Sequence, residues 1–198
     1  MKRIIWIIIF VGLCAVLSAK NEIKLNGAEI KNLNIFFSNF SEAHVTSFDE
    51  NSLNDLILLK FGIRHVYINK FSILKDSHDN LLKVVPMGLI DAATEKYFGK
   101  KVLSNRKKEY LTPVADSDSN VFSRVTSLHD NQNGTYTAYG VIYSGVSALL
   151  RDPYEPSTDL DKANDEFTAD ADFVAVIKKS EINKTRYIIL KYEVISRY

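Results

Sequence analysis

Four histidines, His44, His65, His78 and His129, are the residues of this 198-residue chain best suited to acid–base or metal chemistry. Each stands alone. No His-x-x-x-His or Glu-x-x-His spacing brings two ligands to one helical face, so the usual zinc patterns are missing. His65 is the most informative of the four. It follows Phe61 by about one turn in a long apolar stretch, with Arg64 beside it. A histidine in a pocket can act as a general acid or base near neutral pH, and a structural histidine bonded at a helix edge fits the same residues. Glu42 and His44 lie in the connection before that stretch, at a position that reaches the same end of the fold. His65 with Glu42 or Tyr67 is therefore the acid–base candidate. Tyr139 and Tyr143 share a face of one strand and offer either a groove lining or the flank of a core. These five residues, His65, Glu42, Tyr67, Tyr139 and Tyr143, are the candidate ligand-binding set. The residues assign no catalytic group, no metal and no cofactor.

Other chemistries lack their residues. Gly145-Val146-Ser147-Ala148-Leu149 approaches the nucleophile elbow, but Leu149 replaces the second glycine and the site ends a strand in an antiparallel region, where the elbow needs a strand-to-helix turn. Asp116-Ser117-Asp118-Ser119-Asn120 has the spacing of the first calcium-loop ligands, yet Val121 stands where glycine is required and Ser127 where glutamate is. A solvated turn explains those residues as well. No phosphate-binding glycine pattern occurs. Lys+Arg total 25 and Asp+Glu 24, so no nucleic-acid footprint follows from overall charge. A short basic patch (Lys100, Lys101, Arg106, Lys107, Lys108) and an acidic stretch from Asp152 to Asp172 read as two solvated faces, facing each other, free or meeting a partner.

The elements that must position these groups follow from periodicity. Leu33, Phe36, Phe37 and Phe40 have the i, i+3, i+4, i+7 spacing of one helical face. Ser52 to Asp55 resembles a capping box that opens a helix running to about Asn69. Its stripe is Leu53, Leu56, Leu59, Ile63 and Val66, with Leu58 and Phe61 off the stripe. Apolar on most sides, this helix is expected to lie centrally on the sheet. Leu59→Ala is then expected to cost about 2–5 kcal/mol. Gly62 within it implies close packing. A short strand, Leu81–Val85, ends at Pro86, and a helix over Met87–Phe98 stops at Gly99. Period two then takes over. Val121–Leu128 and Thr135–Val146 are strands joined through Asn133-Gly134. Phe167–Tyr198 is a strand, a polar turn and a strand, with Phe173, Ala175 and Ile177 facing inward on the first and Ile188, Leu190, Tyr192 and Val194 on the second. The expectation is one α+β domain over 33–198, its N-terminal helices packed on a curved antiparallel sheet of about four to five strands.

The first segment stands apart. Lys2 and Arg3 precede a continuous apolar run, Ile4–Val16, and small residues Ser18 and Ala19, the pattern of a secretory signal peptide over 1–19. The run is shorter than the roughly 20 residues of a spanning helix, so no stable membrane span is expected after cleavage. Retention as an anchor is the other reading. Cleavage removes Cys14, the only cysteine, and leaves no disulfide or thiol. Removing Lys2 and Arg3 takes the formal charge from +1 to −1. Residues 20–32 read as a polar tether. Three glycosylation patterns occur, at Asn39, Asn133 and Asn183.

Helix, longer helix, short strand, helix and then four antiparallel strands is an order similar to the cone of nuclear-transport-factor-2-like (NTF2-like) and cystatin-like domains. A second resemblance rests on Phe37-Ser38-Asn39-Phe40-Ser41-Glu42, Phe61-Gly62-Ile63-Arg64-His65 and Glu95-Lys96-Tyr97-Phe98-Gly99. These resemble a group of secreted bacterial proteins of unknown function over about Leu33 to Gly99. That resemblance implies a bacterial exported domain, periplasmic or extracellular, and carries over no catalytic residue. The functional expectation is a non-enzymatic domain that binds a protein or small ligand. The alternative is a hydrolase or isomerase using His65 in an NTF2-like pocket. A structural component of the envelope is a third class.

Overall fold

Asn26 decides where the first helix begins. Its side chain accepts from the Glu29 amide at 3.0 Å, and Glu29 accepts from the Asn26 amide at 2.8 Å, a reciprocal cap that fixes the first turn of α1 (Gly27–Glu42). The helix thus starts six residues before Leu33, and the expected tether carries its first turns. The computed structural model describes residues 21–78, 80–114, 119–146, 152–157, 160 and 167–197. The proposed signal segment, Asp116–Asp118 of the calcium-like pattern, Ser147, and Asp159, Asp161, Asp165 and Glu166 of the acidic stretch lie outside them.

α2 (Asp55–Lys70) is capped by Asn54, which accepts from Leu56 and Ile57 at 3.0 and 3.2 Å. Ser52 does not cap it. Ser52 instead exchanges hydrogen bonds with Asp49 and closes the preceding turn. A single 3-10 turn, Phe71–Ile73, leads to a three-stranded antiparallel sheet of β1 (Lys75–Asp76), β2 (Leu82–Pro86) and β3 (Glu109–Pro113). α3 (Met87–Phe98) separates the last two and ends on Gly99, whose φ of +66° is the left-handed conformation glycine adopts freely. The larger sheet is β4 (Ser119–Asp130), β5 (Thr135–Val146), β6 (Phe167–Lys179) and β7 (Tyr187–Ser196), antiparallel and in chain order. The described residues therefore form three α-helices packed on two antiparallel sheets, an α+β fold.

The large sheet curves because its register slips at every interface. Thr126 in β4, Asp170 in β6 and Leu190 in β7 each have no partner in the ladder, and such bulges bend a strand and increase its twist. The Leu190 bulge changes which residues point inward. Ile189 and Tyr192 join the core, and Leu190 does not, because one extra residue reverses the alternation beyond it. On β6 the expected Phe173, Ala175 and Ile177 are all buried.

α1 lies in the hollow of this sheet. Phe37 packs on Phe173 with ring centres 4.7 Å apart, and Phe40 meets Phe61, Tyr97, Phe98 and Tyr192 within 6 Å. The other flank of α1 is polar and buried. Ser38 accepts from the Ser123 amide at 2.8 Å, and Asn34 accepts from the Val125 amide at 2.8 Å. Both amides belong to the open edge of β4. Asn34 also donates to the Tyr154 carbonyl at 2.9 Å. Farther along the same edge, Ile23 donates to Leu128 and Asp130 to Asn21, each at 2.8 Å. Residues 21–25, expected to be a tether, are thus tied to the fold.

It is α1, and not α2, that sits on the sheet; α2 packs chiefly on α3. The buried face of α2 is also not the expected one. Leu58, Phe61, Gly62, His65 and Val66 are buried, whereas Leu56 is 59% exposed and Leu59 only half-buried. A helix apolar all round leaves the choice of face to its partners. Gly62 confirms the close packing expected of it, since a Cβ there would lie 2.5 Å from Ile90 Cγ2 in α3. Gly140 in β5 is equally constrained: a Cβ would fall 2.4 Å from the Phe173 ring.

Two stability measurements check this packing. Chemical denaturation should show Leu58→Ala costing about 2–5 kcal/mol and Leu56→Ala less than about 1 kcal/mol; the reverse order would restore the face read from the sequence. Asn34→Ala should cost about 1–3 kcal/mol by stranding the Val125 amide, with faster hydrogen exchange at that amide.

Candidate functional site

A cavity of about 570 Å³ opens where three elements meet. One face of α1 supplies Leu33, Phe36 and Asn39; the end of α3 supplies Lys96 and Tyr97; the β6–β7 hairpin supplies Lys179, Thr185, Arg186 and Tyr187. The reason for each is local. Phe36 belongs to the apolar face of α1, on its margin, so it is half-buried rather than engulfed. Tyr97 belongs to the buried face of α3. Lys179 and Tyr187 are ladder partners at the mouth of the hairpin. The turn between them is held by Ser180 donating to the Arg186 carbonyl at 2.9 Å and by Thr185 donating twice to Asn183.

The floor is aromatic. Phe36 stands 5.7 Å from Tyr97 and 6.5 Å from Tyr187, ring centre to ring centre. The rim is cationic. The Lys179 ammonium lies 3.6 Å from the Tyr187 ring centre and the Lys96 ammonium 4.7 Å from that of Tyr97. Burial first, then the charges of Arg186 and Lys70, hold the Lys96 ammonium below its usual range. The carboxylate in the lining, Glu29, is engaged by the α1 cap. Burial, reinforced by Glu42, pushes the Tyr97 phenol up to about 12, so it stays a protonated donor. Its hydroxyl makes no hydrogen bond to another described residue. Asn39 spends its amide group on the Ile35 carbonyl at 2.6 Å. At 6% exposure Asn39 has no room for a glycan.

The residues singled out from the sequence fall elsewhere. His65 is stacked on Phe61 (5.3 Å, 10°) and edge-on to Tyr97 (4.9 Å), directly behind the aromatic floor. Asn69 sits 3.2 Å from its Nδ1. Burial first, then Lys96 and Lys70, lowers its pKa to about 4, so the ring is neutral at pH 7. Glu42 accepts from the Tyr154 hydroxyl at 2.9 Å, and burial raises its pKa. Tyr67 packs edge-on against Phe71. No hydrogen bond or ring contact joins His65 to Glu42. Tyr139 and Tyr143 share a face, as expected, but it is the face turned away from α1. There Tyr143 stacks on Phe122 at 5.4 Å, and Tyr139, 42% exposed, meets His129 at 5.5 Å. Tyr139 and His129 border a second, shallower polar hollow of about 490 Å³ with Asn21, Ser127, Asp130, Asn131 and Thr137. Among the described residues no three His, Cys, Asp or Glu side chains are grouped to hold a metal, and no helix is long and apolar enough to cross a membrane.

The cavity residues went unnoticed in the sequence because their patterns carry other meanings. Phe36 and Tyr97 read as core, and Lys96 as a helix-end cation. The signal that was present is the density of cations around one hairpin turn: Lys178, Lys179, Lys184 and Arg186. The basic patch and the acidic stretch find separate partners. Arg106 grips Asp91 with two bonds of 2.9 and 2.6 Å, and Lys31 holds Asp152 and Glu155 at 2.7 and 2.9 Å.

The neutral His65 gives a pH signature. The unfolded histidine takes up a proton before the folded one does, so its contribution is complete above about pH 6.5 and is lost as the pH falls toward 4. That loss is at most about 3 kcal/mol. Wild type and His65→Gln, unfolded in parallel between pH 7 and pH 4, should differ in slope, with the wild type falling more steeply.

Comparison of the chain with protein-family models, with curated proteins and with solved structures found no match.

Proposed function

We propose that this protein is an exported, non-catalytic domain that binds a small ligand in the cavity between α1, α3 and the β6–β7 hairpin. The observation that carries this reading is the lining itself: an aromatic floor of Phe36, Tyr97 and Tyr187 within a concave space of about 570 Å³, a size and character typical of small-molecule sites. Export rests on the N-terminal pattern of Lys2, Arg3 and the apolar run after them. The position of His65 supports binding over catalysis. Packed between Phe61 and the back of Tyr97, it is a rigid part of the floor's support and does not line the cavity.

Thermal unfolding of the purified protein against a panel of aromatic acids, sugars, peptides and lipids tests the proposal. A ligand at 100 times its dissociation constant should stabilise by about 2.7 kcal/mol. Asn32→Trp, which fills the cavity from an exposed position on α1, should abolish that shift while leaving the unliganded melting temperature nearly unchanged. A shift that survives Asn32→Trp would place the ligand elsewhere.

A further inference from the structure

We infer that the ligand is a flat aromatic acid, its ring lying over Phe36, Tyr97 and Tyr187 and its carboxylate held by Arg186 with Lys96 and Lys179. This rests on the binding reading above and adds the chemistry of the occupant.

The charge of the cavity carries the argument. Some described cations elsewhere are matched with carboxylates, Arg106 with Asp91, Lys31 with Asp152 and Glu155, Arg197 with Asp172, and Lys83 with Asp76. The three that rim the cavity are not, and they converge on one concave space. Arg186, Lys96 and Lys179 form no ion pair with any described carboxylate. The one carboxylate in the lining, Glu29, is occupied by the Asn26 amide. Arg186 and Lys96 both line the cavity, and after burial the Arg186 charge is the next cause that lowers the Lys96 pKa; an anion bound in the cavity offsets that like charge. A guanidinium fork matches the two oxygens of a carboxylate. Tyr97 adds a protonated hydroxyl with no partner among the described residues. Rings, in turn, prefer offset or edge contacts with rings, and Phe36, Tyr97 and Tyr187 line the same space with Phe36 tilted at 34° to Tyr97 and edge-on at 63° to Tyr187. An aliphatic chain would use the apolar area but not this geometry. A sugar would leave the cations unanswered.

Equilibrium binding of three probes to the folded protein separates the parts of the inference: 2-naphthoate, its neutral analogue 2-naphthylmethanol, and decanoate. The expected result is naphthoate bound about tenfold tighter than either of the others, with the margin over the alcohol shrinking at high salt. Arg186→Gln and Lys96→Gln should each weaken naphthoate about tenfold and leave the alcohol unchanged. Both residues are exposed and Arg186 holds its turn through backbone atoms alone, so the variants should keep the wild-type melting temperature. Equal affinity for acid and alcohol would overturn the anionic half and leave the binding reading standing. Decanoate matching naphthoate would overturn the aromatic half. If another member of the broad panel shifts the melting temperature but none of these three binds, the inference fails alone. If nothing in either set binds, the binding reading falls with it.

Discussion

The outward N–H groups of an edge strand must be met, and in this protein a helix meets them. β4 borders the four-stranded sheet, and its Ser123 and Val125 amides point away from β5. Ser38 and Asn34 accept them at 2.8 Å, from the flank of α1. This explains why Asn34, Ser38 and Ser41, polar residues in the middle of an apolar pattern, are among the most buried in the molecule. Burying them is costly without partners, and here they replace a missing strand. The arrangement fixes the position of α1 along β4, because a shift of even an ångström would break both bonds. It also closes an edge that would otherwise template aggregation. The other edge is closed in the same spirit: Phe48 exchanges two backbone bonds with Tyr192 on β7, and Ser47 accepts from Val194.

With α1 fixed at its flank, the curl of the sheet brings the remaining strands onto it. Neighbouring strands lie about 4.8 Å apart, so in a flat sheet β4 and β7 would be separated by about 14 Å. Yet α1 touches both: Ser38 meets Ser123 on β4 at 2.8 Å and Phe40 meets Tyr192 on β7 with ring centres 5.7 Å apart. Burial holds the Tyr192 phenol protonated. The Tyr192 hydroxyl is buried without a hydrogen-bond partner among the described residues. That unsatisfied group costs about 1–3 kcal/mol. It persists because the ring beneath it contacts Phe40, Phe48 and Phe173 at once. The three bulges make this curl possible.

What the sequence showed clearly was local. The strands over 121–128 and 135–146, the hairpin over 167–198, the helix over 87–98 and its glycine stop all follow from periodicity and turn residues within about ten positions, and the first strand extends to 119–130 in the structure. What it hid was any choice made by distant partners. The stretch Asp55–Lys70 has apolar residues all round, so periodicity alone could not say that Leu58 and not Leu56 turns inward; Ile90 of α3, against Gly62, decides that. β3 is five residues long and pairs with β2 across the whole of α3, so it left no hairpin signal. The Leu190 bulge reversed an alternation that looked regular. Among the candidate site residues, the shared face of Tyr139 and Tyr143 was legible, but which side of the sheet it occupied was not. His65 was legible as a buried histidine of the second helix, and its contact with Tyr97 depended on the packing of α2 on α3.

The cavity is a consequence of the same construction, and this bears on how it would bind. α1 is held by its polar flank to β4 and by Phe37 and Phe40 to β6 and β7, so Phe36, between those two contacts, cannot move freely. Tyr97 is held from behind by His65, Phe61 and Phe40. Tyr187 is braced by Tyr136 at 5.8 Å and by its ladder pairing with Lys179. All three rings of the floor are therefore in place before a ligand arrives, and binding does not have to order them. Each immobilised side chain costs roughly 0.5–1.5 kcal/mol on association when it must be ordered, so a preformed three-ring floor retains a few kcal/mol that a mobile one would lose. The cations differ. Lys96, Lys179 and Arg186 are long, exposed side chains; no ion pair with a described carboxylate fixes them, two rest only against the rings of Tyr97 and Tyr187, and they are the part of the site that adjusts. A rigid aromatic floor with an adjustable charged rim favours discrimination by shape in the ring and tolerance in the placement of the charge.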